Sequence, residues 1–188
     1  MRSTLLAIAL FAVFCNYATA RPRPDITVMS KINPYDTDKA VDEYEKMPPN
    51  IKVILDQVAA VVMDRSLTID QKMQKIDDIP IPENHEEDTE EEKKRFKSFL
   101  TAIHNTIEYY DKTLKPGLSP KAREFCEYLY GRLTKPSAYM ENREKMSEGM
   151  ETKMEGLGLD DVIDVFVTLA KIIKKAKEEK IVQLFEAF

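Results

Sequence analysis

Apolar residues recur three and four positions apart along most of this chain, the repeat of a helix that buries one face. Residues 36–47 carry Val41 and Tyr44 in that register, and Pro48-Pro49 interrupts them. The next segment, 51–65, places Ile51, Ile54, Leu55, Val58, Val61 and Val62 on one side. Several of these are β-branched, which weakens helicity slightly, but the spacing still favours helix over strand. Thr68-Ile69-Asp70-Gln71 reads as a capping box opening a short helix with Ile69, Met73 and Ile76 inward, ended by Pro80 and Pro82. A second capping box, Thr89 to Glu92, opens the clearest helix, predicted over 90–114. Phe96, Phe99, Leu100, Ile103, Ile107, Tyr110 and Leu114 share one of its faces, and Pro116-Gly117 stops it.

Ser119 and Pro120 then supply an N-cap and a first helical residue. The stripe that follows is broad: Leu118, Ala122, Phe125, Cys126, Leu129 and Leu133, widened by Tyr128 and Tyr130. Such a face either closes an ordinary core or walls a space that something apolar enters. Beyond Pro136, residues 137–155 carry Met146, Met150 and Met154 as an i, i+4 ladder, with Tyr139 and Met140 upstream. Methionine adapts its shape, which suits a wall around a flexible ligand as well as plain core filling. Asp160 caps a last long segment with Val162, Ile163, Phe166, Leu169, Ala170 and Ile173 predicted inside, breaking near Lys177 before Ile181. The reading is six or seven helices, no strand and no internal repeat.

Composition agrees. With 188 residues, 5 Gly, no Trp and abundant Lys, Glu, Met and Leu, the chain favours one helical domain. Residues 1–20 read as a secretory signal: Arg2, an apolar run from Leu5 to Cys15, and Ala18-Thr19-Ala20 as the cleavage site. Residues 21–35 are proline-bearing and read as an extended leader, leaving 36–188 as the domain. Cleavage removes Cys15, so the secreted chain would hold Cys126 alone and no internal disulfide, which argues against small cysteine-framework folds. It also removes Arg2, making a chain of net charge −5 one unit more acidic, with its basic residues scattered. That pattern gives no footprint for nucleic acid or an anionic membrane.

Catalytic motifs are missing. There is no G-x-S-x-G and no H-E-x-x-H around His85 or His104. A Cys126–His pair has no sequence support beyond the presence of both residue types, and Asn84 to Asp88 lacks the spacing of a calcium loop. The chain is read as non-enzymatic, with no metal and no cofactor.

Leu118-Ser119-Pro120-Lys121-Ala122-Arg123-Glu124-Phe125 resembles the "LSPEAKAF" segment of the nematode fatty-acid- and retinol-binding (FAR) proteins. The stretch Phe166 to Ile173 is similar to that family's "FP-x-x-x-K-I/V" region, with Val167 in the place of its proline. A second similarity, Leu67-Thr68-Ile69-Asp70-Gln71, is to the SXP/RAL family of secreted nematode antigens. The FAR resemblance implies an all-α domain around an internal apolar cavity that carries fatty acids and retinol, with transient membrane contact during ligand transfer. On that implication the lining is expected from Leu55, Val58, Val62, Phe96, Phe99, Leu100, Ile103, Ile107, Phe125, Leu129, Val162, Phe166, Leu169 and Ile173. Phe96 to Ile107 would face Phe125, Leu129 and Phe166 across it. Two other readings use the same stripes: an apolipoprotein-like binder of lipid surfaces, and a secreted antigen or interaction protein with a filled core.

Overall fold

The computed structural model describes residues 46–80, 89–141 and 143–186. The signal, the leader, all but the last two residues of the helix expected over 36–47, the acidic stretch with His85 and the terminal Phe188 lie outside them, as do the side chains of Tyr139, Met140, Met146 and Phe185. Among the described residues there are eight α-helices and no strand. They are α1 (Pro49–Met63), α2 (Ile69–Asp77), α3 (Glu90–Tyr109), α4 (Pro120–Leu133), α5 (Pro136–Glu141), α6 (Arg143–Glu155), α7 (Leu159–Glu178) and α8 (Ile181–Glu186). The last segment breaks between α7 and α8, close to Lys177 as the sequence leads one to expect.

Each start has a local cause. Pro49 opens α1 at a position whose N–H would have no partner anyway. At α2 and α3 both capping boxes form: Gln71 N–H donates to Thr68 Oγ1 at 3.3 Å and Thr68 N–H to Gln71 Oε1 at 2.9 Å. Glu92 and Thr89 repeat the exchange at 3.3 and 2.8 Å. Ser119 Oγ accepts from Ala122 N–H at 3.1 Å to open α4, and its hydroxyl donates to Asp161 at the start of α7. Asp161 also accepts from Gly158 N–H at 3.1 Å, so one carboxylate caps α7 and ties its first turn to that of α4.

The expected single helix over 90–114 is α-helical only to Tyr109. It then winds as a π-turn over Tyr110–Leu114 and a 3-10 turn over Lys115–Gly117. A π-turn carries one more residue per hydrogen-bonded loop than an α-turn and re-aims the side chains beyond it. Here the change coincides with a change of core. Phe96, Phe99, Leu100, Ala102, Ile103 and Ile107 belong to one buried cluster with Val58, Ala59, Val62, Ile76 and Ile181. Tyr110 and Leu114 belong to a second, with Leu118, Ala122, Phe125, Cys126, Leu129 and Val165. α4 serves both, since its Tyr130 and Leu133 pack against the first. Two adjoining interiors on one helix account for its broad stripe.

α1, α2, α3 and α8 enclose the first cluster, while α7 lies along α4 and α3. The break between α7 and α8 falls at Lys180, whose φ of 57° is left-handed. Glu179 secures that corner, accepting from Asn105 Nδ2 at 3.1 Å and pairing with Lys175 at 2.6 Å.

Candidate functional site

Among the described residues the second cluster is the less closed of the two: seven half-buried side chains lie against its eight buried residues, whereas the seven half-buried ones at the first flank thirteen. Phe125, Cys126 and Leu129 form its buried floor, but the side chains laid over them are only half-buried: Met150 and Met154 from α6, Leu157, and Leu169 and Ile172 from α7. Polar groups from α4 and α6 rim this seam. The Arg132 guanidinium lies 4.2 Å from the centre of the Tyr128 ring and Lys153 Nζ lies 5.0 Å from it. Lys153 also pairs with Glu124 at 3.2 Å, and Lys121 donates to the Gly156 carbonyl at 3.1 Å. Gly149 permits the approach, because a Cβ there would sit 3.2 Å from the Tyr128 hydroxyl. The seam therefore pairs an apolar, methionine-bearing wall with two cations at its edge. Tyr128, Arg132 and Lys153 were invisible as a group, since no local pattern links a mid-α4 arginine to a lysine on α6.

The residues expected to line one cavity divide three ways. Leu55, Val58, Val62, Phe96, Phe99, Leu100, Ile103 and Ile107 are buried, all but Leu55 in the first cluster. Phe125 and Leu129 are buried in the second, with Leu169 half-buried against them. The expectation that Phe96 to Ile107 face Phe125, Leu129 and Phe166 is therefore corrected: they occupy different interiors. Phe166 and Ile173 are corrected further. Phe166 is 56% exposed, Ile173 is also exposed, and Val162 is half-buried. The inward line of α7 is instead Val165 and Thr168, followed by Ile172 and Ala176. α7 carries a second set of apolar residues outside its buried line, Ile163, Phe166 and Ile173 among them, so spacing alone could not say which set turns inward.

A half-buried polar network spans the junction of the two clusters. Arg65, just past α1, stacks on Tyr130 at 3.7 Å from the ring centre, donates from Nη1 to Glu127 Oε2 at 2.8 Å and places Nε 3.2 Å from Asp111. Lys115 reaches Glu127 at 3.0 Å, and the Tyr110 hydroxyl donates to Glu127 at 3.1 Å. Burial raises the Glu127 pKa, but hydrogen bonds from Arg65 and Lys115 outweigh it, and the carboxyl sits below its ordinary value. Tyr130 donates to the Met63 carbonyl, and burial pushes its pKa up to about 12. The π-turn supplies two members of this network, Tyr110 and Asp111.

Lys72 is the other unexpected group. It is 1% exposed, and its Nζ donates to the Val62 carbonyl at 2.6 Å, serving a carbonyl that the last turn of α1 leaves unbonded. Burial lowers its pKa, opposed by the Asp64 charge. The signal was present: Lys72 stands three after Ile69 and four before Ile76, an inward position on α2. His104 is half-buried, and its Nδ1 has no hydrogen-bond partner among the described residues. Burial first, then the Lys72 charge, hold it below the usual histidine value.

Burial, with the Glu127 charge second, pushes the Cys126 thiol up to about 11, so it is not a thiolate at neutral pH. Among the described residues no three His, Cys, Asp or Glu side chains gather as metal ligands, and no helix is long and apolar enough to cross a membrane. No family model, no curated protein and no solved structure matches this chain.

Proposed function

We propose that the protein is an exported, non-enzymatic carrier that takes up long-chain apolar ligands of the fatty-acid and retinol class between α4, α6 and α7. The observation that carries this reading is the half-buried wall of Met150, Met154, Leu157, Leu169 and Ile172 over Phe125 and Leu129. Side chains of that kind exchange contacts with one another for contacts with an alkyl chain at small cost. A ligand parting α6 and α7 would make the internal apolar space that the family resemblance implies. Arg132 and Lys153 at the rim give a carboxylate its counter-charge while the chain runs inward along the methionines.

The energetics are adequate. Burying a palmitate-length chain at about 0.8 kcal/mol per methylene gives roughly 12 kcal/mol gross. Lost ligand freedom and side-chain ordering reduce this to about −8 kcal/mol, a micromolar affinity. A fluorescent fatty-acid analogue should gain intensity on mixing and lose it to oleate. Met154→Asp should weaken that binding by at least about tenfold, since it puts an unpaired charge in the wall, while far-UV circular dichroism stays unchanged. No displaceable signal from the parent protein would end the carrier reading.

A further inference from the structure

Among the described residues the outward side of α7 is apolar and uncovered, and its pattern is that of a helix pair. Leu159, Ile163, Phe166, Ala170, Ile173 and Lys177 are all exposed and succeed one another at intervals of four, three, four, three and four. Leu159 is 77% exposed and Phe166 56%. Alternating three and four is the a/d seam of a coiled coil. Monomeric proteins seldom leave a contiguous stripe of this kind open to water.

Charge selects the occupant. On one flank of the stripe stand Asp160, Val167 and Lys174, seven residues apart, which are the e positions of that register. The opposite flank, Val162, Leu169 and Ala176, is apolar. In an antiparallel pair e positions meet e positions, so Asp160 falls beside Lys174 of a second copy, Lys174 beside that copy's Asp160, and Val167 beside its equivalent near the twofold axis. The seam is complementary in the same alignment: Phe166 falls opposite Ala170 of the copy, large against small, and Ile163 opposite Ile173. A parallel pair brings e positions against the apolar flank and matches no charges. Asp164 and Lys171 repeat the pattern further out on the same side, and neither has an ion-pair partner within its own chain among the described residues, whereas Lys174 lies 3.9 Å from Glu178, a long exposed contact it would share with Asp160 of the copy.

We infer that two copies of this chain associate through α7, antiparallel, with Phe166 against Ala170 and Asp160 against Lys174. The contact is isologous, as closed dimers require. Five apolar side chains from each copy would bury on the order of 1,000 Å² in total, at the lower limit of specific interfaces, so the pair should be reversible. The inference does not depend on the carrier reading, because the seam between α4, α6 and α7 lies on the inward side of this helix.

Light scattering on the full chain, followed across concentration, tests it. The parent protein should move from the mass of one chain to that of two. Phe166→Glu should remain single at every concentration with unchanged circular dichroism, since Phe166 belongs to neither buried cluster. Asp160→Lys and Lys174→Asp should each shift dissociation by tenfold or more to higher concentration. An equimolar mixture of those two should recover pairing, because the mixed pair restores both opposite-charge contacts. Val167→Cys should form an oxidised covalent dimer. A parent protein that stays single, pairing that survives Phe166→Glu, or single reversals that fail to complement on mixing would overturn the inference. So would a chain that is single in solution and uses Phe166 only to float with phosphatidylcholine vesicles, which would assign the stripe to a lipid surface.

Discussion

The two interiors of this molecule are made of similar residues and are finished differently. In the first, Phe99, Leu100, Val58 and Val62 are almost wholly removed from water and enclosed by four helices. In the second, fewer buried residues, Phe125, Cys126 and Leu129 among them, lie beneath as many half-buried side chains as flank the first. The contrast separates two uses of apolar surface. On the proposed carrier function, tight closure supplies stability, whereas a loose cover keeps free energy available for a ligand.

The largest effect should come from breaking the closed side. Phe99→Ala should cost about 3–5 kcal/mol in denaturant unfolding, the usual range for a fully buried phenylalanine. Met154→Ala, on the loose side, should cost less than about 1.5 kcal/mol by the same measurement. Equal costs would erase the distinction between the two interiors.

Next in size is the network that joins them. Arg65→Ala removes the cation from Glu127 and Asp111 and should cost about 2 kcal/mol, below the figure for a fully buried pair because Arg65 is a quarter exposed. The same network fixes an acid branch. Since the folded-state pKa of Glu127 lies below its ordinary value, its contribution is complete above the unfolded carboxyl value and is lost as pH falls through the folded one. Glu127→Gln should flatten stability against pH in that acidic window, measured by urea midpoints. An unchanged acid slope would remove Glu127 from the account.

The smallest effect concerns Lys72. Lys72→Met exchanges a buried ammonium for an apolar chain of similar length and should leave stability at pH 7 within about 1 kcal/mol. The informative reading lies at alkaline pH. A lysine whose folded pKa is depressed means that the unfolded chain binds more protons between the two values, so the parent protein gains stability as pH rises through that interval. The Lys72→Met variant should lack the gain.

Much of the fold is legible in the sequence, because its starts are written locally. Thr68 with Gln71, Thr89 with Glu92, and Ser119 with Pro120 each announce a helix within four residues. The site was less readable, for identifiable reasons. Periodicity finds a buried face only when the opposite face is polar, and α7 offers two apolar ones, so Phe166 and Ile173 were placed on the wrong side. It also assumes constant winding, and the π-turn at Tyr110–Leu114 breaks that assumption without any proline or glycine inside it. That turn is where the interior divides, so the expected continuous wall from Phe96 to Leu129 became two. The groups that meet at the rim and at the junction, Tyr128 with Lys153 and Arg65 with Glu127, are far apart in sequence and come together only through packing.

Cys126 carries a practical consequence. With its sulfur enclosed by Phe125, Leu129 and Val165 and its proton firmly held, it should resist alkylating reagents in the native protein and react readily once the chain opens. The molecule thus contains its own reporter of unfolding. Thiol-labelling rates under native conditions would measure how often the loosely covered interior breathes.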